Sequence, residues 1–393
     1  MSRSPLKILV LTSRTGGGHD ARADAFKAWC HKLYDGNIEV RIERPLEKAS
    51  AVTRFGVELY NFIQKYAPLL HNPYWWIVEM FGYLQRNKIK LGKAFFEHLL
   101  KEFQPHLVFS VHDFLNRGYF QTARRVLGKN VRCATYCGEF SGGFGYSKNW
   151  VEPTADLYYS RTSTAQDYAI QIGMVPEKCH VRGNLMHPIV YDGIMNNKEK
   201  RDFLVNDLGL SLTKLTIFLT ASGVGSNNHL EMLRVLKRYS SRVQVILVCG
   251  GNQHLVIKVQ EWAMHYPDLQ IYIEDYSMRM HQLIQVSDAI ISRGATTCAE
   301  ALFFGVPIIF NAMGGIMPQE RLTFKYFYRA GAAVKLSNLD DLNYQLGLWL
   351  SHKKEYVLMQ ERCRQIGIIE DPSKLINELV GLAEEAAGDD EAP

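Results

Sequence analysis

What most constrains this chain is a rhythm, in which short β-branched and apolar runs alternate with stretches of helical spacing. KILVLTS (7–13), IEVRIE (38–43), LVFSVH (107–112), VRCATYC (131–137), DLYYSR (156–161) and CHVRGN (179–184) form a first series. LTIFLTAS (215–222), VQVILVCG (243–250), LQIYIED (269–275), DAIISRG (288–294), VPIIFNA (306–312) and AAVKLS (332–337) form a second. Strands that alternate with helices predict parallel sheets covered by helices. One sheet holding both series would be unusually wide. The expectation is therefore an α/β chain with two Rossmann-like, doubly wound domains facing each other across a cleft, and 393 residues are enough for two cores. The polar segment NLMHPIVYDGIMNNKEKRDF, 184–203, separates the series. The expected division is 1–187, 188–370, a helix over 371–387 returning to the first domain, and a disordered acidic tail, 388–393.

Ligands of doubly wound sheets gather outside the carboxyl ends of the strands. Four loops at such ends share one chemistry. TSRTGGGH supplies Gly16, Gly17, Gly18 and His19; TASGVGSNN supplies Gly223, Gly225 and Ser226; CGGN supplies Asn252; SRGATTCAEA supplies Arg293, Gly294, Ala295, Thr296, Thr297 and Glu300. Glycines and small hydroxyl residues before a helix expose N–H groups and the positive end of its dipole, which suits a phosphate or diphosphate. No loop continues into the Gly-Lys-Ser/Thr of a Walker A motif or has GxGxxG spacing, which argues against ATP hydrolysis and NAD binding. A nucleotide diphosphate in the second domain remains, with the two carboxylate oxygens of Glu300 accepting from two ribose hydroxyls.

A net charge of +5 favours anionic small molecules or a membrane surface over nucleic acid. Seven cysteines, an odd number lying mostly in apolar runs, read as free thiols in a reducing compartment. With no secretory leader and no apolar span of about 18 residues, a cytoplasmic location is expected. No Asp-x-Asp stands at a strand end, and no second pair completes a site with Cys133 and Cys137, so no metal is expected. Residues 50–103 break the rhythm with an insertion crowded with Tyr, Trp, Phe and Leu, together with Arg86, Lys88, Lys90 and Lys93. Its aromatic and basic character suits an anionic bilayer surface, and a helical pair packed on the sheet is the plain alternative.

TSRTGGGHDARADAF resembles the opening of the monogalactosyldiacylglycerol synthase and processive diacylglycerol glucosyltransferase family. VELYNFIQKYAPLLHNPYW, VRGNLMHP, RMHQLIQVSDAIISRGATTCAEAL and MPQERLTFKYFYRAGAA are similar to further stretches of that family, so the likeness runs over residues 8–335. The C-terminal pattern is also similar to that of the bacterial enzyme that adds N-acetylglucosamine to the lipid-linked peptidoglycan precursor. The resemblance implies the GT-B architecture and an inverting, metal-independent transfer of a hexose from a UDP-sugar to a lipid hydroxyl, that of diacylglycerol, at the cytoplasmic face of a membrane. It also implies that Glu300 binds the ribose, Gly294 to Thr297 the diphosphate, Met280 the base, and Gln319 and Glu320 the sugar. Gly223, Gly225 and Ser226 would close on the phosphates, with Arg293 adding charge. The alternatives are a UDP-N-acetylglucosamine-dependent transfer to another lipid-linked or soluble acceptor, and a non-catalytic nucleotide-sugar or lipid-binding protein.

Inverting transfer needs a base for the acceptor hydroxyl, and His19 is the candidate because histidine titrates near neutrality. Its place at a helix start equally allows a neutral donor to the diphosphate or a structural cap. Asp113 and Glu139 are the rivals, and His112 ends a strand on the same edge. Two stretches depart from the family pattern and bear on the acceptor: ATYCGEFSGGFGYSKNW, with Glu139 and a second glycine run, and His187 before Pro188.

Overall fold

A computed structural model of the chain describes residues 5–67, 70–84, 88–220, 228–366 and 370–388. Six strands form the first sheet: β1 (Leu6–Leu11), β2 (Ile38–Glu43), β3 (Leu107–Ser110), β4 (Arg132–Tyr136), β5 (Leu157–Ser160) and β6 (Cys179–Val181). Six form the second: β7 (Leu215–Thr220), β8 (Val243–Val248), β9 (Ile271–Glu274), β10 (Ala289–Ser292), β11 (Ile308–Asn311) and β12 (Ala333–Leu336). Every described strand falls on an expected run, and the strands pair in parallel among the described residues. Several strands stop before the apolar pattern does, because residues such as Val111, His112 and Arg161 leave the sheet to build loops.

The first sheet runs β2-β1-β3-β4-β5-β6 and the second β12-β11-β10-β7-β8-β9. Chain order therefore reverses between β1 and β3 in one and between β7 and β10 in the other. Such reversals splay the following loops apart and leave a crevice at the strand ends. The loops carrying His19 and His112 flank the first crevice, and Arg293 and Gly294 follow a strand that flanks the second.

Helix α1 (Gly18–Tyr34) follows β1 and buries Phe26 and Trp29 completely, or nearly so, against the first sheet. Helices α2 (Ala51–Tyr66) and α3 (His71–Leu84) stand apart and keep an apolar surface outward, with Phe55, Trp76, Ile77 and Met80 each 60–63% exposed. Helix α4 (Lys93–Phe103) behaves differently. Phe96, Leu99, Leu100 and Phe103 lie in the first core with Leu9 and Val108, so the last part of the expected insertion is ordinary sheet cover. Lys88, Lys90 and Lys93 are exposed, and Arg86 lies outside the described residues.

In the second domain α5 (Ala295–Phe303) follows β10 and α6 (Pro318–Arg329) follows β11. The last helix, α7 (Ser373–Gly388), packs on the first sheet, burying Leu375, Ile376, Leu379 and Val380 beside Ile8, Phe26 and Phe109. Full burial of such side chains stabilises by about 1.5–3 kcal/mol each. Arg182, where the chain leaves the first sheet, donates Nε and Nη2 to the two Glu378 carboxylate oxygens at 2.9 and 2.6 Å and pins the returning helix. The chain thus passes between the domains twice. All seven cysteines are buried and unpaired. No helix among the described residues is long and apolar enough to cross a membrane.

Candidate active site

A cavity of about 340 Å³ opens between α2 and α3 and runs down to the β1/β3 crevice. Its wall is apolar, formed by Val52, Phe55, Val57, Trp75, Ile77 and Phe81, and its floor carries His19, His112, Asp113 and Glu139. Size and lining match a small-molecule site, largely apolar with a few convergent polar groups.

The TGGGH turn explains itself at the floor. Gly16 (φ 72°) and Gly17 (φ 80°) are left-handed, a conformation that glycine adopts without strain. A Cβ on Gly18 would lie 3.5 Å from Thr296 Oγ1 of the second domain, so the third glycine marks the close approach. Asn61 of α2 holds the loop, accepting from Gly16 N at 3.3 Å and donating to Arg14 O at 3.2 Å.

His19 Nδ1 lies 2.8 Å from the Val111 carbonyl oxygen, which can only accept. The tautomer with the proton on Nδ1 meets that acceptor and leaves Nε2 its lone pair, with the Arg22 guanidinium, which can only donate, competing at the same nitrogen. Arg22 Nη2 lies 2.9 Å from the same Nδ1. Burial, then His112 and the Arg22 charge, hold the ring well below the ordinary histidine range, so it is neutral. His112 Nδ1 accepts from Phe114 N at 3.2 Å, which places its own proton on Nε2, 2.9 Å from Thr15 Oγ1. Burial, aided by Arg22, drops His112 to about 3, so its 3.1 Å approach to Asp113 is not an ion pair. The carboxyls move the other way: burial and Glu79 push Asp113 up to about 7, and burial and Asp113 push Glu139 up to about 8 against the pull of Arg22.

On the facing domain α5 begins at Gly294 with no side-chain cap, leaving its first-turn N–H groups turned to the seam. Burial lifts Glu300, on the same helix, to about 7. Arg293 lies 3.6 Å from Glu320 and, through Nη2, 3.5 Å from Gln64 O of α2. Gln319 Nε2 donates to Tyr60 OH at 2.9 Å. Arg293, Gln319 and Glu320 therefore meet α2, while Gly294 to Glu300 face Gly18 and the α1 start.

The other expected residues stand elsewhere. His187 is exposed and accepts from Ile189 N at 3.2 Å as a helix cap, apart from the cavity lining. Asn252 caps the helix Gln253–His265, accepting from Leu255 N at 3.2 Å, and Met280 packs against the second core. Gly223, Gly225 and Ser226 lie outside the described residues. The second glycine run is packing: a Cβ on Gly145 would lie 2.0 Å from Pro318 O, and one on Gly142 2.2 Å from Tyr168 Cβ. Sequence reasoning passed over Arg22, Arg161, Trp150, Tyr60 and Gln64. Arg22 carried a signal, since it lies three residues after His19 on the same helical face.

These buried carboxyls set a pH response. Asp113, Glu139 and Glu300 titrate above their ordinary values of 3.8 and 4.5, so ionising them destabilises the fold progressively up to about pH 8. His19 and His112 are depressed, and their contribution is lost only below about 6.5. The melting temperature should therefore fall between about pH 6.5 and about pH 8.5, and Glu139→Gln should flatten the decline. Calorimetry across that window checks both; a rising melting temperature would contradict the buried carboxyls.

The pattern of the glycosyltransferase family 28 C-terminal domain matches residues 225–313, which span β8 to β11 and the α5 loop. The processive diacylglycerol beta-glucosyltransferase of Bacillus licheniformis is 22% identical over 385 residues, 96% of this chain and 95% of its own. The second half of the chain thus carries the pattern of a family 28 glycosyltransferase, and the whole chain is similar to a diacylglycerol glucosyltransferase. The chloroplastic monogalactosyldiacylglycerol synthase of spinach is 23% identical over 89% of this chain and 67% of its own. Among solved structures, Acinetobacter baumannii MurG superposes with a TM-score of 0.62 at 14% identity, covering 96% of this chain and all of that one. The two facing sheets thus have the GT-B fold. Its family 28 half carries Glu300, and its other half carries the cavity.

Proposed function

We propose that this glycosyltransferase moves a hexose from a UDP-sugar to the free hydroxyl of a diacylglycerol, with inversion, at the cytoplasmic surface of an anionic membrane. The observation that carries this reading is the cavity, whose apolar wall on α2 and α3 leads to a floor of His19, Asp113 and Glu139. A two-chain lipid offers the same division, with hydrocarbon for the wall and one hydroxyl for the floor. The relatives named for diacylglycerol and the family 28 half support the choice of donor and acceptor classes. Incubation with UDP-hexoses and diacylglycerol in mixed micelles, read by mass spectrometry, should give a monohexosyl lipid. UDP binding without any glycolipid would sink the enzyme reading in favour of a binding protein, and transfer to soluble sugars alone would sink the lipid acceptor.

The leaving group's charge is met in this reading by the α5 N-terminus and arginine rather than by a metal. His19, His112 and Asp113 nevertheless bring ligand atoms within 4.8 Å of one another, the group among the described residues that could share an ion. Activity should survive EDTA unchanged. A loss restored by zinc would move the chemistry onto an ion at those three residues.

Docking follows from the outward apolar surface of α2 and α3. Vesicles containing anionic lipid should carry the protein upward in flotation. Trp76→Glu with Ile77→Glu should weaken that at least about tenfold, since each apolar side chain contributes about 1.5–3 kcal/mol when buried. Equal flotation of the double variant would remove these helices from the membrane contact.

A further inference from the structure

The least satisfied charge in the described structure is Arg161. It stands at the end of β5, wholly buried, with Nε, Nη1 and Nη2 all lacking a hydrogen-bond partner. Its guanidinium lies 4.4 Å from the Phe140 ring centre, a contact that leaves every N–H unused. Arg22 is 4% exposed, and its Nε is also unpartnered. Its guanidinium fills the space beside Gly138, where a Cβ would lie 2.7 Å from Cζ. A Cβ on Gly18 would have Arg22 Nη1 at 3.8 Å and Thr296 Oγ1 at 3.5 Å, so the arginine and the first turn of α5 converge on one point of the seam. Thr296 Oγ1 is itself buried and unpartnered.

Arg22, the Thr296 hydroxyl and an uncapped helix start therefore meet at the seam, and the charge of Arg161 reaches Arg22, His19 and Cys298 of α5. Burial and the field of Arg161 draw Arg22 down to about 10, and Glu139, the acid whose field reaches both, is held largely neutral near pH 7 by its own burial. Unpaired buried charge costs several kcal/mol, so an arrangement of this kind is built for a partner. Planar guanidinium forks match phosphate and carboxylate oxygens, and the helix start beside them suits phosphate.

We propose that Arg161 and Arg22, with Thr296 and the α5 N-terminus, form a phosphate site across the domain seam that takes the β-phosphate of the nucleotide-sugar donor. The proposal rests on the glycosyltransferase reading above and adds a role for the first domain in leaving-group departure. During transfer the acceptor oxygen bonds to the sugar C1. The bond from C1 to the β-phosphate oxygen breaks and leaves its electron pair on that oxygen, while the hydroxyl proton passes to the base. The new negative charge arises where the two guanidiniums stand, which is how such groups accelerate a reaction rather than merely bind its substrate.

Calorimetric titration of the full chain and of Arg161→Met and Arg22→Gln with UDP, UMP and inorganic pyrophosphate tests the site. Arg161→Met should weaken UDP and pyrophosphate by about 30-fold or more and leave UMP unchanged. Its ligand-free melting temperature should hold or rise, because an apolar chain of similar shape replaces an unpaired charge. Arg22→Gln should act in the same direction, more weakly. The proposal is overturned if Arg161→Met binds UDP like the natural chain, if its ligand-free form melts several degrees lower, or if only the KM for the lipid changes. A natural chain that binds pyrophosphate but not UDP would keep the phosphate site and remove the nucleotide reading; one that binds neither overturns the site.

Discussion

Replacing His19 with alanine is expected to slow sugar transfer by about 10² to 10⁴ while leaving UDP affinity intact. The expectation rests on orientation. In the tautomer that meets Val111 O the proton sits on Nδ1, so the Nε2 lone pair belongs to a ring that lines the floor of the cavity, stacked 6.1 Å from Trp150. Lowered basicity keeps the ring neutral and able to accept a proton at any physiological pH. The pH profile separates His19 from its rivals. A base must be deprotonated, so catalysis by Asp113 would rise through about pH 7 and catalysis by Glu139 through about pH 8. With His19 as base the rate stays flat over that range, because its own titration lies well below 6.5. Full activity in His19→Ala together with a rising profile would hand the role to a carboxylate.

A second large effect is expected from filling the cavity. Gly56 lines it from the middle of α2, and a Cβ there would meet nothing within 4 Å. Gly56→Phe should raise the KM for lipid acceptor about tenfold or more, since the ring occupies space on the path to the floor. Binding of UDP should not change, because Arg22, Arg161 and Thr296, the groups proposed for its phosphates, do not line this cavity. Stability should increase slightly, as glycine inside a helix is worse than alanine by roughly 0.5–1 kcal/mol. Unchanged lipid kinetics would place the acceptor outside this cavity.

The strand pattern was legible because short, continuous apolar runs mark strands covered on both faces, and the twelve described strands lie on such runs. His19 and Glu300 were legible for a related reason, each following a glycine turn at a strand end. Contacts across the seam were not. Gly18 stands against Thr296 and Gln64 meets Arg293, 229 residues away, and such pairings leave no trace in neighbouring residues. The insertion was half legible. Phe96, Leu99, Leu100 and Phe103 keep the spacing of a helix with one buried stripe, and that spacing, weighed above aromatic content, would have assigned α4 to the core. Composition alone cannot tell a helix facing a sheet from one facing a bilayer, since both present hydrocarbon to hydrocarbon. The packing role of the second glycine run was equally hidden: its small residues admit Pro318 and Tyr168, while Gly145 also lines the cavity.

The return of α7 to the first sheet has a mechanical meaning. Two bodies joined by one covalent strand can swing about any axis through it, whereas two strands leave chiefly the rotation about the line between them. Opening of the seam that buries Arg161 is thereby reduced to a single lever arm. Were α2 and α3 to dock on lipid as proposed, the first domain would be the fixed plate and the second the part free to turn.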